Sequence, residues 1–161
     1  YASIRVMFGP QDDLFTAEAQ DTLISAPYMI TNESDRMGYR MKGSKLSHKL
    51  KADILSDGIA PGSIQVPGHG QPIIMLADRQ SIGGYAKIAT VIGADLPILG
   101  QMKPGQSVTF AAVSREEALL ALSRQNAVRD RELCGPYPRR HFAVRVGHDV
   151  FRVDMQEILG G

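Results

Sequence analysis

The sequence predicts a mainly β protein, a closed or nearly closed barrel with two flanking helices, on three observations. Apolar and polar residues alternate in short runs at the two-residue period of a strand. Sixteen glycines and nine prolines among 161 residues punctuate those runs as turns. Most links are short, which favours antiparallel neighbours and closure of the sheet.

The elements follow in order. Residues 4–8 (IRVMF) alternate and stop at Gly9-Pro10, so a strand runs into a turn. Asp12 and Asp13 then suit the start of a helix, where free N–H groups favour negative charge. Phe15, Ala19 and Leu23 recur at helical spacing as one buried stripe. Further strands are read at 28–31, 39–42, 63–66, 72–77, 87–92 and 107–111. The stretch 53–70 is otherwise turn-rich, and 96–102 is a helical turn at most. Ser114 and Glu117 form a capping box that opens the clearest helix, expected to run to about Arg131. Two alternating strands, 142–146 and 150–154, are joined as a hairpin by Gly147-His148-Asp149.

Composition bounds the rest. A chain of 161 residues fits one domain, 1–161, with 43% hydrophobic and 22% charged residues, which excludes a disordered tail. Lys and Arg number 18 against 17 Asp and Glu, so nucleic acid is not the expected partner. No apolar run reaches the length of a membrane span, and no signal-peptide pattern opens the chain. One cysteine, Cys134, allows no intrachain disulfide and reads as an inert thiol. A cytoplasmic location is therefore expected.

Charge is uneven along the chain. Residues 36–51 hold Arg36, Arg40, Lys42, Lys45, Lys49 and Lys51 with no acid, a solvated basic face or an anion site. Arg36 and Arg40 matter most for the second reading, because a planar guanidinium holds a carboxylate with two hydrogen bonds. The segment 68–87 runs from a core strand into Asp78-Arg79-Gln80 and then Gly83-Gly84-Tyr85. Charges at the end of a core strand are costly unless paired or wetted. The paired glycines let another backbone or a ligand come close. The segment reads either as a salt-bridged barrel corner or as a polar site at the barrel mouth. In the second case Asp78 or Asp57 accepts N–H bonds from an amide-like substrate, and Arg79 or Lys87 holds an anion. His48, His69, His141 and His148 lack zinc-ligand spacing, so no metal site is expected. The phosphate-binding loop and the nucleophile elbow are also missing.

Five stretches together carry a family resemblance: 9–13 (GPQDD), 34–40 (SDRMGYR), 53–59 (DILSDGI), 62–68 (GSIQVPG) and 78–89 (DRQSIGGYAKIA). Over about 4–115 the sequence resembles the C-terminal half of the allophanate hydrolase subunit 2 family, also called the biotin-dependent carboxyltransferase family. Its members take part in ATP-dependent 5-oxoprolinase and form part of the carboxyltransferase region of urea carboxylase.

The resemblance implies a cyclophilin-like closed β-barrel and a chain that is the second half of a two-barrel subunit. The start at Tyr1 is read in that light. It implies partners: the N-terminal half, a second cyclophilin-like subunit and a separate hydrolase subunit. The activity implied is ATP-dependent opening of the lactam of 5-oxoproline to glutamate, with ATP bound by the complex. The alternatives are carboxyl transfer from carboxybiotin to urea or a similar amide, and a regulatory binding module. Prolyl isomerisation would rest on fold analogy alone.

The family's patterned polar positions map onto Arg36, Tyr39, Arg40, Asp57, Gln65, Asp78, Arg79, Gln80, Tyr85 and Lys87, with the glycine pair Gly83-Gly84. Asp78, Arg79 and Asp57 are the expected catalytic residues, and the others bind substrate. The Asp78-Arg79-Gln80 form is similar to the stand-alone bacterial member of the family, which favours the lactam reading. The 142–154 hairpin with Glu157 faintly resembles the opening of a biotin carrier domain. The Met-Lys-Met attachment motif is missing, since Gly43 follows Met41-Lys42, so no biotin is expected on this chain. One spatial expectation ties the site together: Arg36 and Arg40 should open onto the same hollow as Gly83-Gly84. Loss of the other half should also expose an apolar patch and drive self-association.

Overall fold

The computed structural model describes residues 2–133, 139–146 and 149–156, with side chains described as far as Val128. Cys134, the turn residues Gly147 and His148, and Glu157 lie outside the described residues. The chain divides into two compact units, Tyr1–Leu122 and Ser123–Gly161.

The first unit holds a closed seven-stranded barrel. Its strands are β1 (Ala2–Phe8), β2 (Tyr28–Ile30), β3 (Gly38–Lys42), β5 (Ser63–Gln65), β6 (Ile73–Met75), β8 (Lys87–Val91) and β9 (Ser107–Ala112). Around the barrel the order is β1, β8, β5, β6, β3, β2, β9. These strands pair antiparallel, except that β9 closes the ring by pairing parallel to β1, Ala2 opposite Val108 through Val6 opposite Ala112. The mainly β, barrel-forming reading of the sequence is what the structure shows.

Alternation explains the core. Ile4 and Val6, Tyr28 and Ile30, and Val108 and Phe110 are buried on successive strands and join one cluster with Ile64, Ile74 and Ile88. Helix α1 (Ala17–Ser25) adds Ala19 and Leu23, with Phe15 just before it, as the helical stripe predicts. The acids are not its cap, however. Asp12–Leu14 form a separate 3-10 turn, and Thr16 Oγ1 caps α1 by accepting the Ala19 N–H at 3.1 Å. A short helix α2 (Leu96–Leu99) follows β8, and α3 (Arg115–Leu133) begins in the first unit. Its capping box is formed as predicted: Glu117 N–H donates to Ser114 Oγ at 3.2 Å, and Ser114 N–H donates to Glu117 Oε2 at 2.8 Å.

Two strands depart from the sequence expectation. β4 (Asp53–Gly58) and β7 (Ile82–Tyr85) pair only with each other, as an antiparallel ribbon outside the barrel ladder. β4 is mostly exposed, so it carries no buried alternation to read, and its register shifts between Asp53 and Asp57. In the second unit, β10 (Arg139–Val146) and β11 (Asp149–Gln156) pair antiparallel as the expected hairpin. Among the described residues no helix is long and apolar enough to cross a membrane.

Candidate functional site

Lys87 opens β8 and is buried on every side. The ladder between β5 and β8 shifts at this point. Ile64 faces Ala89, but Gln65 faces Lys87, so β8 carries one extra residue there. A bulge of this kind redirects a side chain, and here Lys87 and Gln65 stand opposite each other, both buried. Lys87 Nζ donates to Asp57 Oδ2 at 3.0 Å across to the β4–β7 ribbon. The lysine side chain is 2% exposed and the aspartate 52%, so the pair joins the interior to the surface.

Gln11 completes the arrangement. Its backbone N–H donates to Lys87 O at 3.1 Å, its Oε1 accepts the Lys87 N–H at 3.1 Å, and its Nε2 donates to Asp57 Oδ2 at 3.0 Å. The residue therefore fixes Lys87 and Asp57 at once. In the sequence Gln11 stands out only as part of the 9–13 stretch. The signal that points to it is a glutamine set in a Gly-Pro turn directly after a core strand.

Hydrogen bonds decide what Asp57 can do. Donation from Lys87, then from the Gly58 N–H, then from Gln11, holds its carboxyl below the usual value. Gly58 N–H lies 2.7 Å from Oδ1. Asp57 is thus an anion at neutral pH, an acceptor and not a proton donor. Three donors occupy a carboxylate that offers about four acceptor sites, which leaves room for one more N–H. Gln65 Nε2 donates to Tyr85 O at 3.4 Å, and its side chain lies where a Cβ on Gly83 would come, 2.9 Å from Nε2. The glycine at 83 is what gives Gln65 its place. Among the described residues Lys87 Nζ has Asp57 as its one acceptor, so two of its three N–H donors are left.

Arg36, Tyr39, Asp78 and Arg79 occupy a different place. Arg36 Nε and Nη2 donate to Asp78 Oδ2 and Oδ1 at 2.6 and 3.3 Å. This hydrogen bonding raises the arginine and lowers the carboxyl from their ordinary values. The two side chains are 83% and 49% exposed. Arg36 and Tyr39 line a cavity of about 560 Å³ with Pro61, Leu76 and Leu96, and none of Asp57, Gly83, Gly84 or Lys87 lines it. Tyr39 Oη is engaged with the carbonyls of Leu99 and Met102 at 3.0 and 2.9 Å. Arg79 Nε donates to Ile59 O at 2.9 Å and Nη1 to Leu76 O at 3.4 Å, so its guanidinium ties two loops together.

Arg40 lies elsewhere again, in a groove with Lys42 and His69. The single hollow expected for Arg36, Arg40 and the glycine pair thus resolves into separate places. The structure brings together Asp57, Gln65 and Lys87, with Gly83 and the Tyr85 carbonyl. Gln80 is exposed, and the Tyr85 side chain is 41% exposed on the ribbon. Among the described residues no group of three or more His, Cys, Asp and Glu side chains could hold a metal.

Known proteins share this barrel. The family model for the carboxyltransferase domain, subdomain A and B, matches residues 1–112. A 5-oxoprolinase subunit of Escherichia coli is 41% identical over 122 residues, covering 76% of this chain and 39% of that protein. A putative urea carboxylase of Emericella nidulans is 33% identical over 125 residues, covering 71% of this chain and 10% of that protein. The crystal structure of Kluyveromyces lactis urea carboxylase superposes with a TM-score of 0.76 at 26% identity, over 80% of this chain and 12% of that one. The chain thus spans about two fifths of the length of the Escherichia coli relative. By the extent of the family match, and as its motifs led one to expect, the chain belongs to the carboxyltransferase domain family, subdomain A and B.

Proposed function

We propose that this chain is the C-terminal barrel of a subunit in an ATP-dependent, 5-oxoproline-opening enzyme, and that Asp57, Lys87 and Gln65 form its part of the amide site. The observation that carries the reading is the incompletely satisfied ammonium of Lys87. A buried charge is costly unless its hydrogen bonds are met. A substrate carbonyl is the kind of acceptor that Lys87 and the second Gln65 N–H would meet, while Asp57 takes the substrate N–H. Donors placed at a carbonyl stabilise the oxyanion that forms there. In the overall reaction the ring C–N bond breaks, water supplies a hydroxyl to the carbonyl carbon and a proton to the nitrogen, and ATP is hydrolysed. ATP is bound by the complex, whose other parts are the N-terminal half, a second cyclophilin-like subunit and a separate hydrolase subunit. A cytoplasmic setting fits these partners. The identity to two bacterial 5-oxoprolinase subunits supports this choice.

The test is reconstitution of the full-length protein with its partner subunits, ATP and 5-oxoproline, with glutamate as the product measured. Lys87→Met should lower glutamate formation at least about 100-fold, the scale of losing a transition-state donor, and Asp57→Asn should lower it as well, with assembly intact by gel filtration in both. Wild-type turnover in both would remove these residues from the mechanism. Carboxyl transfer to an amide is the second reading, favoured by the family match and the likeness to urea carboxylase. It requires carboxybiotin, so full activity with avidin present excludes it.

A further inference from the structure

Arg40 and Lys42 stand two residues apart on β3 and therefore share one face of the strand. Both are exposed, and among the described residues neither side chain has a hydrogen-bonding or ion-pairing partner. Thr31 lies across from Arg40, its N–H donating to Arg40 O at 2.9 Å. The Thr31 hydroxyl is buried and unpartnered. His69 reaches the same groove from the turn before β6. Its Nδ1 accepts the Gln71 N–H at 3.1 Å, so the proton of the neutral ring sits on Nε2, a donor. Gln71 in turn holds Gly43 through both atoms of its amide, at 2.9 and 3.0 Å, which clamps the turn to the end of β3.

We infer that this groove, about 370 Å³ in volume, is a binding site for a phosphate group, free or esterified on a small molecule. The lining offers a guanidinium fork, an ammonium, an imidazole N–H and a hydroxyl, against one carboxylate, Glu33. The surrounding segment 36–51 adds bases and no acid. A phosphate ester presents three terminal oxygens and orthophosphate four, with about −1.5 to −2 charge at pH 7, which suits donors on β3, on the residue that follows β2 and on a clamped turn. A carboxylate offers two oxygens in one plane and leaves donors unused. The groove is distinct from the Lys87–Asp57 site, so the inference stands apart from the proposed activity.

Calorimetric titration at constant ionic strength tests it, using orthophosphate, glycerol 3-phosphate and acetate. Both phosphates should bind saturably and acetate at least 10-fold more weakly. Tighter binding of glycerol 3-phosphate would assign the groove to an ester, and tighter orthophosphate to the free ion. The double variant Arg40→Gln/Lys42→Gln should lose at least 10-fold in affinity, and Thr31→Val should lose affinity by a smaller factor. Arg36→Gln, which removes a charge outside the groove, should bind like the wild type. Equal binding of acetate, unchanged affinity in the double variant with its circular dichroism intact, or no heat beyond that of matched sodium chloride would overturn the assignment.

Discussion

Lys87 and Asp57 form an ion pair 3.0 Å long whose two members live in different media, the ammonium buried and the carboxylate half in water. Removal of either partner therefore has a different consequence. Lys87→Met keeps the aliphatic stem, deletes the buried charge and leaves behind an Asp57 carboxylate that is half in water and can be hydrated there. Asp57→Asn leaves the ammonium buried without its anion. Thermal melts should show Lys87→Met at or above the wild-type midpoint and Asp57→Asn below it. The reverse order would mean that Lys87 is not buried as described.

The two shifted carboxyls titrate below the ordinary range, and because both are about half exposed the stability tied to them is small. Asp57 and Asp78 are both held below their ordinary value of 3.8 by hydrogen bonds from Lys87 and from Arg36. A depressed carboxyl contributes stability above its unfolded value and loses it as pH falls through the folded one. The contribution is complete at pH 7 and is lost only below 3.8, as pH falls through the depressed folded values. Carboxyl carbon shifts followed by NMR should place both midpoints below 3.8. Lys87→Met should move the Asp57 midpoint upward and leave that of Asp78 unchanged.

Gly83 tests the shape of the site. A Cβ there would meet Ile59 Cδ1 at 2.6 Å and Gln65 Nε2 at 2.9 Å. Gly83→Ala should cost about 1–3 kcal/mol by overpacking and lower activity by displacing Gln65. Gly58, on the same ribbon, has nothing within 4 Å of such an atom, so Gly58→Ala is the control that folds normally. Chemical denaturation of the two variants separates crowding at Gly83 from any general glycine effect.

Tyr39 and Arg36 separate structure from chemistry. The Tyr39 hydroxyl shares its one proton between the carbonyls of Leu99 and Met102, so Tyr39→Phe should lower stability by about 0.5–1.5 kcal/mol. In the assembled enzyme its KM should stay at the wild-type value. The Arg36–Asp78 pair is largely exposed, and exposed pairs add little to stability. Arg36→Ala should leave the melting midpoint within error. A raised KM with unchanged stability in Tyr39→Phe would restore that residue to substrate binding.

Most of the barrel was legible because its strands bury one face. Ile4-Arg5-Val6, Tyr28-Met29-Ile30 and Val108-Thr109-Phe110 all alternate, and that pattern survives without knowledge of partners. The stripe Phe15, Ala19, Leu23 and the Ser114–Glu117 box were legible for the same reason, since each acts within one or two turns. The ribbon of β4 and β7 left no such trace: Leu55 is 95% exposed and Ile82 is 62% exposed, so hydrophobicity there says nothing about pairing. The site was half legible. Asp57, Gln65 and Lys87 could be named as polar residues at strand ends, but so could Asp78 and Arg79. Nothing in the chain told apart a carboxylate facing a buried lysine from one facing an exposed arginine.

By itself the sequence determined the barrel strands, the two longer helices, the Ser114–Glu117 cap and the family, because these depend on side-chain period and on hydrogen bonds between near neighbours. Only the tertiary structure decided which charges meet. Asp57 and Lys87 are 30 residues apart, Gln11 and Lys87 are 76 apart, and Arg36 and Asp78 are 42 apart. Such pairs form when closure of the barrel and the bulge in β8 place their backbones, and Coulomb attraction then acts over a few ångströms that no spacing along the chain encodes.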